Sequence, residues 1–508
     1  MSDPSSTRPG LGSVAARLGI FGDGDPRLVK RVALALGLVY VVSFVIFYPN
    51  IATNDDEAMY LRQARLAMHG PPIATQLDPM TGDSHTFFMS TYAPGTAMLM
   101  APFVELFGWR GAFAVPCASL LAAVGLTMAW IRGAGYAPFF GLVLLGFPPA
   151  LVLGRVAMSD VPSALLTALG FFLFWRGQDR HPGWWLGSGL VAGVSWVFRA
   201  TNPILFVPLF AGTVLRREGK CWALVVGGLV GVAIRFGCMY LYFGSGLFER
   251  SAYHPAFDSI MERLPLYLIG LLVFVPGGLA LSLCYKGPRR PEIIVTIVGV
   301  FFFFLFQQYS TMATSFEKRL VLALRYFIPV IPVMAFAMSQ AVPAVLCSLR
   351  DRGGVAKRVA VGLGSAGVMW VAGVGVAAAG VHPLFSIWSS TQSELRDVIA
   401  RSLPPNAVYI TNWMATRKFI PIIGQTYLRV DRDRVTASQV ALLRKTHGSV
   451  YLVLATRNDS EFWIQDERRT EAFLESLRAE PVLIADHSAG TIDRIRVFRL
   501  DSDSPEKR

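Results

Sequence analysis

The sequence is poor in charged residues for its length. Asp, Glu, Lys and Arg make up 16% of the 508 residues, whereas hydrophobic residues make up 53%. Soluble globular domains carry about 25% charged residues, so this composition excludes an ordinary soluble protein. Several runs of about 17 to 22 residues carry almost no charge, and each is long enough to span a bilayer as a helix. We therefore expect a polytopic α-helical membrane protein.

Several motifs typical of secreted proteins and soluble enzymes are missing. The five cysteines lie in or beside apolar runs and show neither Cys-x-x-Cys nor zinc-ligand spacing, so we expect no zinc site and no disulfides. No spacing suggests a glycine-rich nucleotide loop or a serine nucleophile. The polar N-terminal stretch has no early apolar segment with a small-residue cleavage site, so we expect no cleaved signal peptide.

Basic residues outnumber acidic ones and give the chain a formal net charge of +13. In a soluble protein this excess would suggest nucleic-acid binding. Here most basic residues lie between the apolar runs, where they orient a membrane protein, so we expect no nucleic-acid partner. Arg27, Lys30 and Arg31 precede the first apolar run, which predicts that residues 1–30 form a cytoplasmic polar tail.

The apolar runs predict about eleven transmembrane helices within residues 31–383. Both 184–198 and 203–215 are short, and they could instead form one long helix. The predicted spans are 32–48, 111–131, 137–153, 162–176, 184–198, 203–215, 222–243, 266–284, 293–309, 322–346 and 359–380.

Residues 92–107 allow two topologies, because this apolar stretch of roughly 16 residues is short for a span. If it only dips into the membrane, Arg132, Arg176 and Arg180 fall on the cytoplasmic side, as the positive-inside rule favours. If it spans, these arginines fall outside. We adopt the first topology, which makes residues 49–110 the first external loop.

From about residue 384 the chain becomes polar and mixed, which indicates a separate domain over 384–508. Short runs typical of strands alternate there with runs typical of helices, so we predict a small α/β domain. An odd number of spans places it outside the membrane with the first external loop. The predicted strands are 407–410, 450–454, 481–484 and 494–500, and the predicted helices are 390–402, 436–446 and 468–479.

An acidic tetrad, Asn54-Asp55-Asp56-Glu57, directly follows the first apolar run. Three adjacent carboxylates are costly so close to hydrocarbon. A simple explanation is that they cap the next helix, because acids favour its positive N-terminal end. The following residues, 58–69, predict a helix along the membrane surface. Asp56 and Tyr60 are four residues apart, so they share one face of it.

The other predicted external loops hold further charged residues. A carboxylate can take a proton from an attacking hydroxyl and arginine binds phosphate, so this face suits a substrate with a phosphate and a sugar. Because the acids are predicted outside, the donor should be carried on a lipid. Arg155 and Arg199 could simply snorkel, and Asp160 could cap a helix. The other candidates are His254, Lys318, Arg319 and Arg325, of which His254 could be an ordinary loop histidine.

Four motifs, in order over most of residues 30–346, resemble those of integral-membrane C-type (GT-C) glycosyltransferases. The likeness is to bacterial relatives of the dolichyl-phosphate-mannose–protein mannosyltransferases and of the lipid A aminoarabinose transferase. Ala93 replaces a usual proline, and Asp55 is an additional acid. The motifs are Asp56-Glu57-Ala58-Met59-Tyr60, similar to an Asp-Glu-x-x-Tyr pattern; Tyr92-Ala93-Pro94-Gly95; the stretch from Arg155 to Asp160; and Arg325-Tyr326-Phe327-Ile328-Pro329 with Pro332.

The resemblance implies a multi-helix fold in a bacterial inner membrane and transfer, with inversion, of a sugar from a polyprenyl-phosphate donor. The acceptor would be an envelope glycan, lipid or protein. Asp56 would be the general base, Glu57 would orient or position it, and Asp160 would be a second site carboxylate. No cofactor would be required, although Asp55, Asp56 and Asp160 could hold a divalent cation. The other candidates are Arg199, Lys318, Arg319 and Arg325 for the donor phosphate, with Tyr60, Tyr92, Arg155 and His254 nearby.

Two other functions remain open. A glycolipid transporter or flippase would need charged residues within its spans and usually an internal repeat. The sequence shows no repeat, although Arg235 lies within the predicted span 222–243. A non-catalytic envelope assembly protein would use the external domain to bind a partner and would not depend on Asp56.

Overall fold

The protein is mostly helical and forms two compact units in a computed structural model. The first unit is drawn from Met1–Phe47, Ala93–Thr96 and Phe113–Pro383, and the second from Tyr48–Tyr92, Ala97–Ala112 and Leu384–Arg508. The structure describes residues 11–22, 24–53, 55–69, 73–77, 84–88, 92–178, 180–243, 260–275, 277–307, 322–404, 408–412, 427–429, 435–457, 461–477, 481–489 and 493–500.

The described helices and strands are numbered along the chain. The helices are α1 (Leu11–Arg17), α2 (Pro26–Ile46), α3 (Asp55–Ala67), α4 (Gly95–Phe107), α5 (Ala114–Gly133), α6 (Pro148–Leu153), α7 (Asp160–Gly177), α8 (Gly183–Phe198), α9 (Pro203–Leu215), α10 (Cys221–Phe243), α11 (Ile260–Phe274), α12 (Gly278–Leu283), α13 (Arg290–Phe306), α14 (Ile331–Asp351), α15 (Gly354–Ser402), α16 (Ala437–His447) and α17 (Glu461–Ser476). The strands are β1 (Ile73–Leu77), β2 (Ser84–Phe88), β3 (Val408–Thr411), β4 (Tyr427–Arg429), β5 (Val450–Arg457), β6 (Val482–Ala489) and β7 (Asp493–Leu500).

In the described part of the chain, 5 helical segments are long and apolar enough to cross a membrane. This confirms a multi-pass membrane protein but not the predicted number of spans. Helix α4 has 13 residues, so it is about 20 Å long and shorter than the roughly 30 Å hydrocarbon core. The 5 segments are Pro26–Ile46, Trp109–Gly133, Cys221–Tyr242, Leu322–Asp351 and Gly354–Ile387.

Two predicted spans are wrong as continuous helices. Residues 137–153 form a 3₁₀ turn, Pro138–Val143, and then the short helix α6. The break falls at Phe147, which has extended backbone angles because Pro148 follows it. Residues 266–284 are divided between α11 and α12, with Gly277 in the left-handed conformation between them at φ +68°.

Residues 184–198 and 203–215 form two separate helices, α8 and α9, so a single long helix is excluded. The backbone leaves the helical conformation at Arg199, where φ is −157° and ψ is 131°. Helix α9 then begins at Pro203, a residue that suits the first turn because its missing N–H is not needed there.

Helix α15 is one helix of 49 residues, whereas the sequence predicted a span at 359–380 and a separate helix at 390–402. Pro383 lies inside it and cannot donate a hydrogen bond to the carbonyl of Ala379, four residues earlier. The Ser43 hydroxyl of α2 donates to that carbonyl oxygen instead, at 2.7 Å. The carbonyl oxygen of His382, the residue before the proline, accepts from Arg155 Nη1 at 2.7 Å. The carbonyl that proline leaves without its helical donor therefore has a partner on α2, and the helix continues through Pro383.

Helices α8 and α10 pack closely through glycines of the first unit. A Cβ atom at Gly193 would lie 2.6 Å from the carbonyl oxygen of Gly228, and one at Gly231 would lie 2.6 Å from that of Leu190. Gly189 and Gly193, like Gly227 and Gly231, are four residues apart and so lie on one helix face. Small residues at this spacing allow transmembrane helices to approach backbone to backbone.

We expect Gly231→Ala to destabilise the protein, because its new methyl group must displace the backbone of α8. Overpacking of this kind costs about 1–3 kcal/mol. Gly237→Ala, on the same helix, is the matched control, since nothing lies within 4 Å of a Cβ atom there. Thermal unfolding in detergent should show a lower melting temperature for Gly231→Ala alone. Equal melting temperatures for the two variants would contradict this packing.

The second unit contains a five-stranded mixed sheet in the order β4-β3-β5-β7-β6. Strand β3 pairs in parallel with β4 and β5, and β7 is antiparallel to β5 and β6. Its core includes Ile410, Leu452 and Phe473, which pack side chains of the sheet against those of α16 and α17. This confirms the small C-terminal α/β domain. The sequence did not predict β4 or the β1–β2 hairpin.

Candidate active site

Three side chains on one face of helix α3 contact Tyr92 in the second unit. Asp56, Tyr60 and Gln63 are spaced at i, i+4 and i+7, so they lie on the same side of the helix. The Tyr92 hydroxyl donates to Asp56 Oδ1 at 2.6 Å. The rings of Tyr60 and Tyr92 stack with centroids 5.1 Å apart. Gln63 Nε2 donates to the Tyr92 carbonyl oxygen at 3.2 Å. We call these residues, with Glu57, the acidic-helix site.

Glu57 lies beside Asp56 in sequence but is fully buried and has a different set of contacts. Its Oε2 accepts from the Thr53 backbone N–H at 2.5 Å and from the Thr53 hydroxyl at 2.8 Å. A carboxylate that reaches back to the residues before the helix fixes the start of the helix, as in a capping box. Glu57 therefore holds the first turn of α3, on which Asp56 lies.

Asp160 and Arg199 form a buried ion pair in the first unit. The carboxylate contacts Arg199 Nη1, and the two side chains are only 3% and 11% exposed. Asp160 is the first residue of α7, and Arg199 follows the last residue of α8. Asp160 could have capped α7, but Ser159 stands at the N-cap position and the Asp160 carboxylate accepts from Arg199.

Two guanidinium groups contact the ring of Tyr326. The Arg199 guanidinium carbon lies 5.4 Å from the ring centroid, and that of Arg325 lies 5.0 Å from it. Arg325 Nη2 also donates to the Tyr326 hydroxyl at 3.1 Å. Planar guanidinium groups stacked on an aromatic ring keep donors available in a fixed orientation. We call Asp160, Arg199, Arg325 and Tyr326 the arginine cluster.

A pocket adjoins the arginine cluster and shares Tyr326 with it. Its other lining residues are mainly apolar. Asn202 lies in its wall, is 1% exposed, and donates through Nδ2 to the Ser163 hydroxyl at 3.0 Å and to the Ser195 carbonyl at 2.9 Å. The lining residues are Thr201, Asn202, Ile204, Leu205, Val300, Phe303, Phe304, Tyr326 and Pro329.

Arg155 lies in the interior of the first unit and is not exposed on its surface. It is 4% exposed, and its Nη1 donates to the carbonyl oxygen of His382 in α15. His382 itself is fully buried and packs against Tyr40 and Phe44, with ring centroids 4.5 and 5.3 Å away. Arg155 therefore contacts α15, whereas Arg325 contacts Tyr326 in the arginine cluster.

Several predicted site residues lie outside the described residues. These are His254, Lys318, Arg319 and the side chain of Asp55. Within the described part of the chain, no group of three or more His, Cys, Asp or Glu side chains could hold a metal ion. The divalent cation remains an expectation from the sequence.

Gln63 and Tyr326 were not predicted as site residues. Gln63 lies seven residues after Asp56, so helical spacing alone would have placed it on the same face. Tyr326 lies within the quoted Arg325 motif, but its contact with Arg199 joins residues 127 positions apart in sequence, which no local pattern indicates.

Comparison with known proteins identifies the fold. No protein-family model matches the sequence, and no curated protein sequence matches it. The crystal structure of ArnT from Cupriavidus metallidurans in the apo state superposes with a TM-score of 0.59, at 16% identity over 94% of this chain and 98% of ArnT. The same protein bound to undecaprenyl phosphate also gives a TM-score of 0.59, at 15% identity over 94% and 99% of the two chains. This chain therefore has the fold of the C-type integral-membrane glycosyltransferases.

Proposed function

We propose that the protein is an inverting glycosyltransferase that moves a sugar from a polyprenyl-phosphate donor to an acceptor of the bacterial envelope. The observation that carries this proposal is a carboxylate, Asp56, held at the start of α3 by Tyr92 in a chain with the ArnT fold. ArnT of Cupriavidus metallidurans was solved with undecaprenyl phosphate. By analogy, we assign the carrier of the donor sugar to the same chemical class, a lipid phosphate.

Asp56 is the proposed general base. The acceptor hydroxyl oxygen attacks C1 of the donor sugar from the face opposite the phosphate, and its proton moves to the Asp56 carboxylate. The bond between C1 and the phosphate oxygen breaks, so polyprenyl phosphate leaves with the bonding electrons. Attack from the opposite face inverts the configuration at C1. General base catalysis by a positioned side chain contributes about 10²–10⁴-fold.

The arginine cluster is the proposed site for the donor phosphate. The negative charge on the phosphate increases as the C1–O bond breaks, and fixed cations lower the energy of that transition state. Arg199 and Arg325 present planar donors that match phosphate oxygens. Asp160 keeps Arg199 in place through their ion pair. We assign Lys318 and Arg319 to the same phosphate on their position in the sequence alone.

The proposed orientation follows the distribution of basic residues. Residues 1–30 lie in the cytoplasm, 31–383 span the inner membrane, and 384–508 lie outside with the first external loop. The acceptor is an envelope glycan, lipid or protein, and the C-terminal domain is the proposed place where it is recognised. A divalent cation is not assigned a role in the reaction.

The surroundings of Arg235 give little support to the alternative function of a transporter. A charge within a span marks a transport pathway in many membrane proteins. The Arg235 guanidinium carbon lies 4.0 Å from the ring centroid of Trp196 and 5.0 Å from that of Phe236. These cation–π contacts account for a cation at this place without a transported substrate.

A deletion strain tests the proposal in the cell. We expect loss of the gene to remove one sugar from an envelope glycan, lipid or protein, as measured by mass spectrometry of those fractions. Wild-type protein supplied in trans should restore the sugar, and the Asp56→Asn variant at equal abundance should not. Restoration by Asp56→Asn would support an assembly role in place of catalysis.

A further inference from the structure

Tyr92 is fixed at three points by a single face of α3. Its hydroxyl donates to Asp56, its ring stacks on Tyr60, and its carbonyl oxygen accepts from Gln63. A phenol with its hydroxyl, ring and backbone each engaged by the same helix has little freedom to move. The arrangement therefore defines the position of the one atom that Tyr92 offers to Asp56, its hydroxyl hydrogen.

The bond between Tyr92 and Asp56 has the geometry of a strong contact. The distance of 2.6 Å lies within the range of about 2.5–2.7 Å for a hydroxyl that donates to an ionised carboxylate. Such a bond helps to fix the direction of the carboxylate at the start of the helix. A carboxylate has about four lone-pair sites, so the bond leaves it able to take a proton from an acceptor hydroxyl.

Gln63 in turn holds the backbone of Tyr92. Its side chain is fully buried, and Nε2 donates to the Tyr92 carbonyl oxygen. Rotating the amide would turn its oxygen toward that carbonyl oxygen, and the two acceptors would repel each other, so Nε2 must face Tyr92. Within the described residues, Gln63 Oε1 is buried without a hydrogen-bond partner. The hydrogen bond to Tyr92 therefore forms although it leaves the other end of the Gln63 amide in an unfavourable environment.

We infer that Tyr92 is a positioning residue that orients the Asp56 carboxylate toward the acceptor hydroxyl, and that Gln63 holds Tyr92 for this purpose. The inference rests on the proposed function, in which Asp56 is the base. A base must be held within about 0.5 Å of its productive position, and a misplacement of about 1 Å costs roughly 100-fold in rate. Tyr92 takes no proton and forms no bond with the sugar.

Tyr92→Phe tests the inference, because it removes the hydroxyl and keeps the ring on Tyr60. With purified protein, a polyprenyl-phosphate sugar and the acceptor fraction, we expect kcat to fall about 10- to 100-fold. The KM for the lipid donor should stay within about twofold, since the lost bond acts on the base and not on donor binding. Gln63→Leu should lower kcat in the same direction by a smaller factor.

Tyr48→Phe is the matched control. The Tyr48 hydroxyl also makes a hydrogen bond, to the Arg110 carbonyl at 2.8 Å in the same unit, but it has no role in the proposed reaction. Its kcat should equal that of the wild type. The Asp56→Asn background provides a second comparison, measured by single-turnover kinetics. Tyr92→Phe should add less than about twofold there, because a positioning residue has no effect without the base it positions.

The outcomes separate the two proposals. If the wild type transfers no sugar, the proposed function fails. If the wild type is active and Asp56→Asn is not, then unchanged kcat in Tyr92→Phe overturns the inference alone. A raised KM with unchanged kcat would make Tyr92 a substrate contact and would also overturn it. The inference is also overturned if Tyr92→Phe slows the Asp56→Asn enzyme as strongly as it slows the wild type.

Discussion

Asp56→Asn is expected to lower kcat by about 10²–10⁴-fold while the protein remains folded. The amide has nearly the shape of the carboxylate and can still accept the Tyr92 hydrogen bond, so α3 should keep its contacts. It cannot take a proton from the acceptor hydroxyl at neutral pH. The effect should therefore appear in kcat, with little change in the KM for the lipid donor. Steady-state transfer of a labelled sugar in detergent measures both constants.

Glu105→Gln is the control for this substitution. Glu105 also carries a carboxylate in the second unit, half exposed and 3.5 Å from His69, and it has no proposed role. Its variant should transfer sugar at the wild-type rate. Asp56→Asn activity within a few-fold of wild type would show that another group is the base, because it falls well short of the about 100-fold minimum.

Asp160→Ala is expected to destabilise the protein by about 3–5 kcal/mol, the usual cost of removing one partner from a buried ion pair. The Asp160 side chain is 3% exposed, and the Arg199 side chain is 11% exposed. Without the carboxylate, the mostly buried Arg199 guanidinium would lose its ion pair with Asp160. Thermal or chemical unfolding in detergent should show the loss. The donor KM should also rise, because Arg199 would no longer be held in place.

An exposed pair in the same chain provides the comparison. Asp486 and Arg494 lie on adjacent strands β6 and β7 and also form an ion pair, with side chains 32% and 49% exposed. The hydrogen bond from Arg494 lowers the pKa of Asp486 below its ordinary value. Exposed pairs contribute about 0–1 kcal/mol, so Asp486→Ala should have a small effect on unfolding. Equal losses of unfolding free energy for Asp160→Ala and Asp486→Ala would contradict the expectation that breaking a buried ion pair costs more than breaking an exposed one.

A double substitution tests the cause of the Asp160 effect. Replacing both members of a buried pair with apolar side chains is often much less harmful than removing one, because no charge is left unpaired. Asp160→Ala combined with Arg199→Met should therefore be more stable than Asp160→Ala alone. Additive losses would indicate that the two residues stabilise the protein independently.

The sequence predicted the class of fold because charge-poor runs have few alternatives in a membrane. It predicted the C-terminal α/β domain and most of its strands from alternating patterns. It failed where the end or the continuation of a helix depends on partners that are distant in sequence. The sequence predicted a span over 359–380 and a separate helix over 390–402. Helix α15 instead runs through Pro383, where the Ser43 hydroxyl donates to the Ala379 carbonyl that proline leaves without its helical donor.

The candidate site was predictable only as far as local spacing reaches. The offset between Asp56 and Tyr60 follows from helical periodicity, and the same periodicity would have included Gln63. The contact of Tyr92 with Asp56 joins residues 36 apart in sequence, and that of Arg199 with Asp160 joins residues 39 apart. Such pairs depend on tertiary packing, which a single sequence does not specify.

The most direct test of the central claim is release of polyprenyl phosphate by the purified protein. The protein in detergent would be incubated with several polyprenyl-phosphate sugars and an envelope acceptor fraction, and in parallel with nucleotide sugars. Mass spectrometry would follow the free lipid phosphate and the modified acceptor. We predict equal amounts of lipid phosphate and transferred sugar for one lipid donor, with the anomeric configuration inverted, and no transfer from nucleotide sugars. Transfer from a nucleotide sugar, or no release from any lipid donor, would contradict the account.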